Sequence, residues 1–145
     1  MDVSAPTSSF PEVGDMLPAL AVPVVIADQD PVSALVLAEI VAGTGASVDI
    51  VRDVGGLSRR LAAAPVPAAV VLVTPIPGAS LPTALRVSAD AVPGAALLAL
   101  VDQDSPAVRA DALDAGADAV LPLPVHPREV RSSLAAVLRR ATVPL

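Results

Sequence analysis

The stretch Pro23-Val-Val-Ile-Ala-Asp-Gln-Asp-Pro31 decides how the chain is read. Its first five residues are apolar without interruption, as expected of a strand covered on both faces of a parallel sheet rather than of a half-exposed strand. The acids that follow end the run. Asp30 can accept hydrogen bonds from the free N–H groups of a helix start, and Pro31 suits the first helical position. Nine residues therefore read as strand, turn and helix start, and the helix is predicted to run to about Ala42, where Gly43 or Gly45 stops it.

The same grammar recurs down the chain. Strand 2 is predicted over about Ser47 to Arg52, and helix 2 over about Gly56 to Ala64, ended by Pro65 and Pro67. Strand 3 spans Ala68 to Thr74, and Pro75 to Gly78 form a loop. Helix 3 covers about Leu81 to Ala91, capped by Ser80 and broken by Pro93-Gly94. Strand 4 runs from Ala95 to Val101. Asp102-Gln-Asp-Ser-Pro106 then repeats the first turn, with Ser105 as cap and Gly116 ending helix 4. Strand 5 is about Ala119 to Leu123. Helix 5 is about Pro127 to Ala141, with Val130, Leu134, Val137 and Leu138 on one stripe. Five βα units predict the α/β class: a single flavodoxin-like (βα)5 domain, a five-stranded parallel sheet of order 2-1-3-4-5 with helices on both faces. In such a sheet the working site lies at the carboxyl ends of the strands, near the switch between strands 1 and 3.

Composition narrows the chemistry. The 145 residues include no Cys, Trp or Tyr and one Phe, and all nine basic residues are arginine. Disulfides, thiolate chemistry and cysteine zinc sites are excluded, and the single His126 excludes histidine clusters. A net charge of −6 with almost no aromatic residues argues against nucleic acid as a partner. The longest apolar run, Met16 to Ala27, is broken by Pro18 and Pro23 and falls short of the ~20 residues of a spanning helix. No basic segment precedes an apolar stretch at the N-terminus, so a soluble cytoplasmic protein is expected, with no membrane partner. Residues 1–20, rich in Pro, Ser and small residues, read as a tail before a domain over 21–145. Phe10, Met16, Leu17 and Leu20 are the tail's bulkiest groups and its candidates for docking on the domain.

Four stretches in register on this frame resemble a known family. The turn Val24-Val-Ile-Ala-Asp28-Gln29-Asp30-Pro31, the pair Pro77-Gly78, the stretch Ala112-Leu-Asp-Ala-Gly-Ala-Asp118, and Leu121-Pro-Leu-Pro-Val-His-Pro127 are similar to those of response-regulator receiver domains of two-component signalling. The resemblance covers about residues 22–142 and implies the fold given above. It also implies an acidic pair for Mg²⁺, an acceptor Asp, a Thr or Ser, a Lys and a switch aromatic. The acidic pair falls on Asp28 and Gln29, the acceptor on Val73, the hydroxyl on Val101, the lysine on Leu123 and the aromatic on Val120. By the same resemblance, Leu123–Pro124 is expected to be cis.

A slip in register does not restore the chemistry. Thr74 neighbours Val73, but a strand alternates faces. No acid lies between Asp53 and Asp90, and no lysine occurs anywhere in the chain. An arginine does not replace a compact ammonium, and one carboxylate is a poor Mg²⁺ site. The resemblance is therefore to a pseudo-receiver: no catalytic residue, no metal, no cofactor and no enzyme activity are expected.

The remaining features divide between structure and function. The Asp-Gln-Asp turns at 28–30 and 102–104 invite a metal, but capping and the helix dipole explain acids there. Asp28 would then be an accessible carboxylate paired with a backbone N–H or with Arg52, or else part of a ligand site. His126 and Gly55-Gly56 read as an ordinary surface residue and a loop entering helix 2. Helix 1 is apolar nearly all round, so Leu35, Val36 or Leu37 faces outward for a partner, a second subunit or the tail, or forms a plain surface of small residues. Helix 5 carries Arg128, Arg131, Arg139 and Arg140 against the acidic body, a candidate dimer face or a solvated one. The expected function is a phosphorylation-independent interaction module in signalling or transcriptional control, with a protein partner or a homodimer. The alternative is a small-molecule sensor in a former phosphate pocket lined by Val73, Val101 and Leu123, with Asp28 and Gln29 at its rim.

Overall fold

A computed structural model describes residues 21–142, with side chains as far as Arg139. Five parallel strands, β1 (Pro23–Ala27), β2 (Ser47–Val51), β3 (Ala69–Val73), β4 (Ala96–Val101) and β5 (Ala119–Pro122), form one sheet of order β2-β1-β3-β4-β5. The helices are α1 (Pro31–Ala42), α2 (Val54–Leu61), α3 (Leu81–Ala91), α4 (Pro106–Asp114) and α5 (Pro127–Thr142). This is the flavodoxin-like order expected from five βα units.

The strand sequences explain the layers. β3 and β4 are buried along their whole length and β1 along all but its first residue. Because side chains alternate across a strand, each run feeds two cores. Val24, Ile26, Val71, Val73, Leu98 and Leu100 pack against α1 and α5 through Leu37, Val41, Leu134 and Val137. Val25, Ala27, Val70, Leu72 and Leu97 pack on the other side against Leu57, Leu61, Leu85 and Ala112. Aliphatic residues make up both clusters, and the buried Ser88 hydroxyl of α3 donates to the Ala84 carbonyl at 2.9 Å.

The helix starts follow the punctuation of the sequence. Asp30, Ser80 and Ser105 cap α1, α3 and α4, each with a proline in the first turn. At the far end of α4, Gly116 takes φ +117°, a conformation most side chains disfavour. One helix departs from expectation. α2 starts at Val54 rather than Gly56, because Asp53 accepts from the Gly56 N–H at 2.7 Å and caps it two residues earlier. It ends at Leu61, short of Ala64. Among the described residues no helix is long and apolar enough to cross a membrane. The proposed tail, with Phe10, Met16, Leu17 and Leu20, lies outside the described residues.

Candidate functional site

The register places the residues singled out in the sequence along one edge of the sheet. Ala27 of β1 lies beside Leu72 of β3, Val73 beside Leu100 of β4, and Val101 beside Pro122 of β5. Asp28, Val73, Val101 and Leu123 thus stand near one level at the carboxyl ends of the strands. The Leu123 N–H continues the edge by donating to the Val101 carbonyl at 2.8 Å.

Asp28 is not the accessible carboxylate expected from sequence. It is only 3% exposed. One carboxylate oxygen accepts from the Asp30 N–H at 3.0 Å and the other from the Ser33 hydroxyl at 2.7 Å. Of the two partners considered for Asp28, the backbone N–H is present. Arg52 is not its partner. The reason is local: the turn folds its N–H and the first-turn hydroxyl of α1 back onto the end of β1, so the carboxylate braces the β1–α1 junction. Gln29 is exposed beside it.

The other positions are apolar and closed. Val73 is 4% and Val101 1% exposed, and Val73 belongs to the core under α1 and α5. Leu123 is half-buried against that same core, whereas Val120 is half-buried on the opposite face of the sheet. The peptide bond between Leu123 and Pro124 is cis. In the loop after β3, Gly78 takes φ +98°, and a side chain there would strike Val54 at 2.6 Å.

Two polar links at this end were not legible in the sequence. The Thr74 hydroxyl donates to the Asp102 carboxylate at 2.8 Å and accepts from the Asp102 N–H at 3.0 Å, tying the end of β3 to the end of β4. Asp104 receives two hydrogen bonds of 2.6 Å from Arg109. These bonds hold the exposed Asp104 carboxyl below the usual carboxylate range, against the opposing effect of desolvation and with further help from the Arg109 charge. In the first acidic turn Asp30 caps, as expected. In the second, Ser105 caps, and Asp102 and Asp104 make these other bonds.

A Mg²⁺ ion is what the resemblance implies here, and the residues do not fit it. Asp28 has both oxygens engaged by its own turn, and a valine stands where the resemblance places the acceptor. Among the described residues no group of three His, Asp or Glu side chains could hold a metal.

Next to this edge, a cavity of about 170 Å³ opens between α3 and α4. Thr74, Val101, Asp102, Gln103 and Asp111 line it together with Leu81, Pro82 and Val108. It includes Val101 but not Asp28, Gln29, Val73 or Leu123, so these positions do not form one open pocket. On the far side of the domain, α1 turns Val32, Leu35 and Val36 outward, 70%, 64% and 53% exposed, while Leu37 is buried. Arg128 and Arg131 of α5 are exposed, as is Arg139.

The fold recurs widely among solved structures. A response regulator receiver domain protein (CheY-like) from Methanospirillum hungatei JF-1 superposes with a TM-score of 0.77 at 20% identity, covering 83% of this chain and 96% of its own. The receiver domain of a sensor histidine kinase from Pseudomonas aeruginosa PAO1, with magnesium in its active-site cleft, gives 0.73 at 18% identity, over 82% and 98% of the two chains. A putative pilus assembly-related protein from Burkholderia pseudomallei K96243 gives 0.71 at 20% identity, over 82% and 90%. No protein-family model and no curated protein matches the sequence. The likeness is one of fold.

Proposed function

We propose that this chain is a pseudo-receiver: a receiver-like domain without phosphoryl chemistry, acting as a protein-interaction module in signal transduction or transcriptional regulation. The observation that carries this reading is the closed end of β3. At the acceptor position stands Val73, sealed in the aliphatic core, and the one retained acid, Asp28, is occupied by its own turn. The chain has no lysine to hold a phosphoryl group. Residues 21–145 carry the module, residues 1–20 are a tail, and the setting is the cytoplasm. The exposed Val32, Leu35 and Val36 of α1 offer a partner or a second copy an apolar face, and the arginines of α5 offer a charged one.

The test is incubation with acetyl phosphate and Mg²⁺, read by intact mass. No phosphoryl adduct is expected, whereas a stoichiometric adduct on any aspartate refutes the proposal. A small-molecule sensor in the former phosphate pocket has less support, because Val73 and Val101 are closed into the interior.

A further inference from the structure

The cavity between α3 and α4 is small, and its lining has two kinds of surface. Leu81, Pro82, Val101 and Val108 supply apolar walls, while Asp102 and Asp111, both exposed, supply carboxylates at the mouth. No basic residue lines it. Arg109, next to Val108 in α4, is already spent on Asp104 through two hydrogen bonds. At about 170 Å³ the space is below the ~300 Å³ at which pockets for drug-sized molecules begin, and it suits a group no larger than one long side chain.

We infer that this cavity receives an arginine side chain presented by a protein partner, with the aliphatic stem against the apolar walls and the guanidinium between the two carboxylates. Long basic side chains bury their stems on apolar surface while keeping the charged head at a polar rim. The planar guanidinium matches carboxylates in geometry as well as charge. One half of the receptor is preset: the Thr74 hydroxyl holds one Asp102 oxygen at 2.8 Å, so little side-chain freedom is lost there on binding. The net charge of −6 draws a cationic partner in and repels an anionic one. The inference rests on the interaction-module reading only in making a protein the source of the arginine. The cavity's preference is tested on its own.

The experiment is an NMR titration of ¹⁵N-labelled protein with N-acetyl-arginine amide, beside the norleucine and glutamate analogues. Saturable shifts are expected at the amides of Thr74, Asp102, Val108 and Asp111, with a dissociation constant in the millimolar range and weakening as salt is raised. The exposed Asp111→Asn should weaken binding about fivefold or more with an otherwise unchanged spectrum, and Val108→Phe, which fills the space, should abolish it. Absence of saturable shifts overturns the inference. So does equal binding of the norleucine or glutamate analogue, or undiminished binding by Asp111→Asn. A phosphoryl adduct in the acetyl phosphate test would remove the pseudo-receiver reading and leave this result standing.

Discussion

Placing an aspartate where the resemblance puts the acceptor is the sharpest test of a closed site. In Val73→Asp a carboxyl replaces an isopropyl group that is 4% exposed and packed among Val71, Ile26 and Leu100. Loss of the valine's burial costs about 1.5–3 kcal/mol. The carboxyl adds a pH-dependent cost, because burial without a nearby cation raises its folded pKa by up to ~3–5 units. An unfolded aspartate releases its proton near a pKa of about 3.9. Above that value only the unfolded chain is deprotonated, so stability falls as pH rises and levels off once the raised folded value is passed. At about 1.4 kcal/mol per unit, the added cost is about 1.5 kcal/mol near pH 5 and about 4–5 kcal/mol near pH 8 for a folded value raised by three to four units. That is a large part of the ~5–15 kcal/mol that holds a domain together. Urea unfolding followed by far-ultraviolet circular dichroism at about pH 5 and pH 8 measures the difference. Equal stability of the variant and the parent at pH 8, or a phosphoryl adduct on the introduced carboxylate in acetyl phosphate and Mg²⁺, would refute a sealed, non-functional β3 end.

Four further outcomes are expected. Asp28→Ala should destabilise by about 2–4 kcal/mol, because it leaves the Asp30 N–H and the Ser33 hydroxyl without their acceptor, and a loss under ~0.5 kcal/mol in the same urea assay would count against the brace. Asp104→Asn should lower Tm at neutral pH, and the difference should vanish as pH falls through the depressed Asp104 value, since a carboxyl with a lowered folded pKa stabilises only while ionised. A gap that persists in strong acid would show that Asp104 acts otherwise. Leu35→Ser with Val36→Ser should leave the fold intact and weaken self-association or partner capture, read by light scattering after size exclusion and by pull-down. Unchanged behaviour in both would clear the outward face of α1 of that role. Deletion of residues 1–20 should shift Tm by no more than about 2 °C, and a larger fall in a calorimetric scan would show that the segment packs on the domain.

Much of the fold was legible because the chain writes it in local terms. Unbroken aliphatic runs such as Ala69–Val73 and Ala96–Val101 announce strands covered on both faces, and Asp30-Pro31 and Ser105-Pro106 mark the helix starts that follow. The start of α2 departs from the sequence pattern because Gly55-Gly56 reads as loop, whereas the cap Asp53 just upstream decides the boundary. At the site, the strand frame was enough to place Val73, Val101 and Leu123 on one edge. It was not enough for contacts that depend on exact adjacency. The bond from Thr74 to Asp102 joins residues 28 apart, and it exists only because Val73 pairs with Leu100. Nor did Asp28 beside Gln29 reveal that Ser33, inside the first turn of α1, would reach back and help close the carboxylate off from solvent. The cavity between α3 and α4 depends on helix spacing, which no local pattern encodes.

The same facts explain how the ends of β1 and β3 hold together without a carboxylate cluster. A cluster of carboxylates at the ends of β1, β3 and β4 would bring mutual repulsion and a desolvation cost, relieved only by a metal and a lysine. Here Val73 joins the core under α1 and α5, Val101 is buried at the end of β4 where it backs the α3–α4 cavity, and each buried valine contributes about 1.5–3 kcal/mol. Asp28 adds a hydrogen-bond brace in which each carboxylate oxygen has a donor. Thr74 and Asp102 then tie the two strand ends that border the cavity. Each of these interactions stabilises a single arrangement of the edge, and none of them waits on an added ligand. A domain built this way is suited to presenting a fixed surface. In the proposed reading, the closed β3 end and the Thr74-braced side of the α3–α4 cavity serve recognition by docking rather than a phosphoryl-driven change of shape.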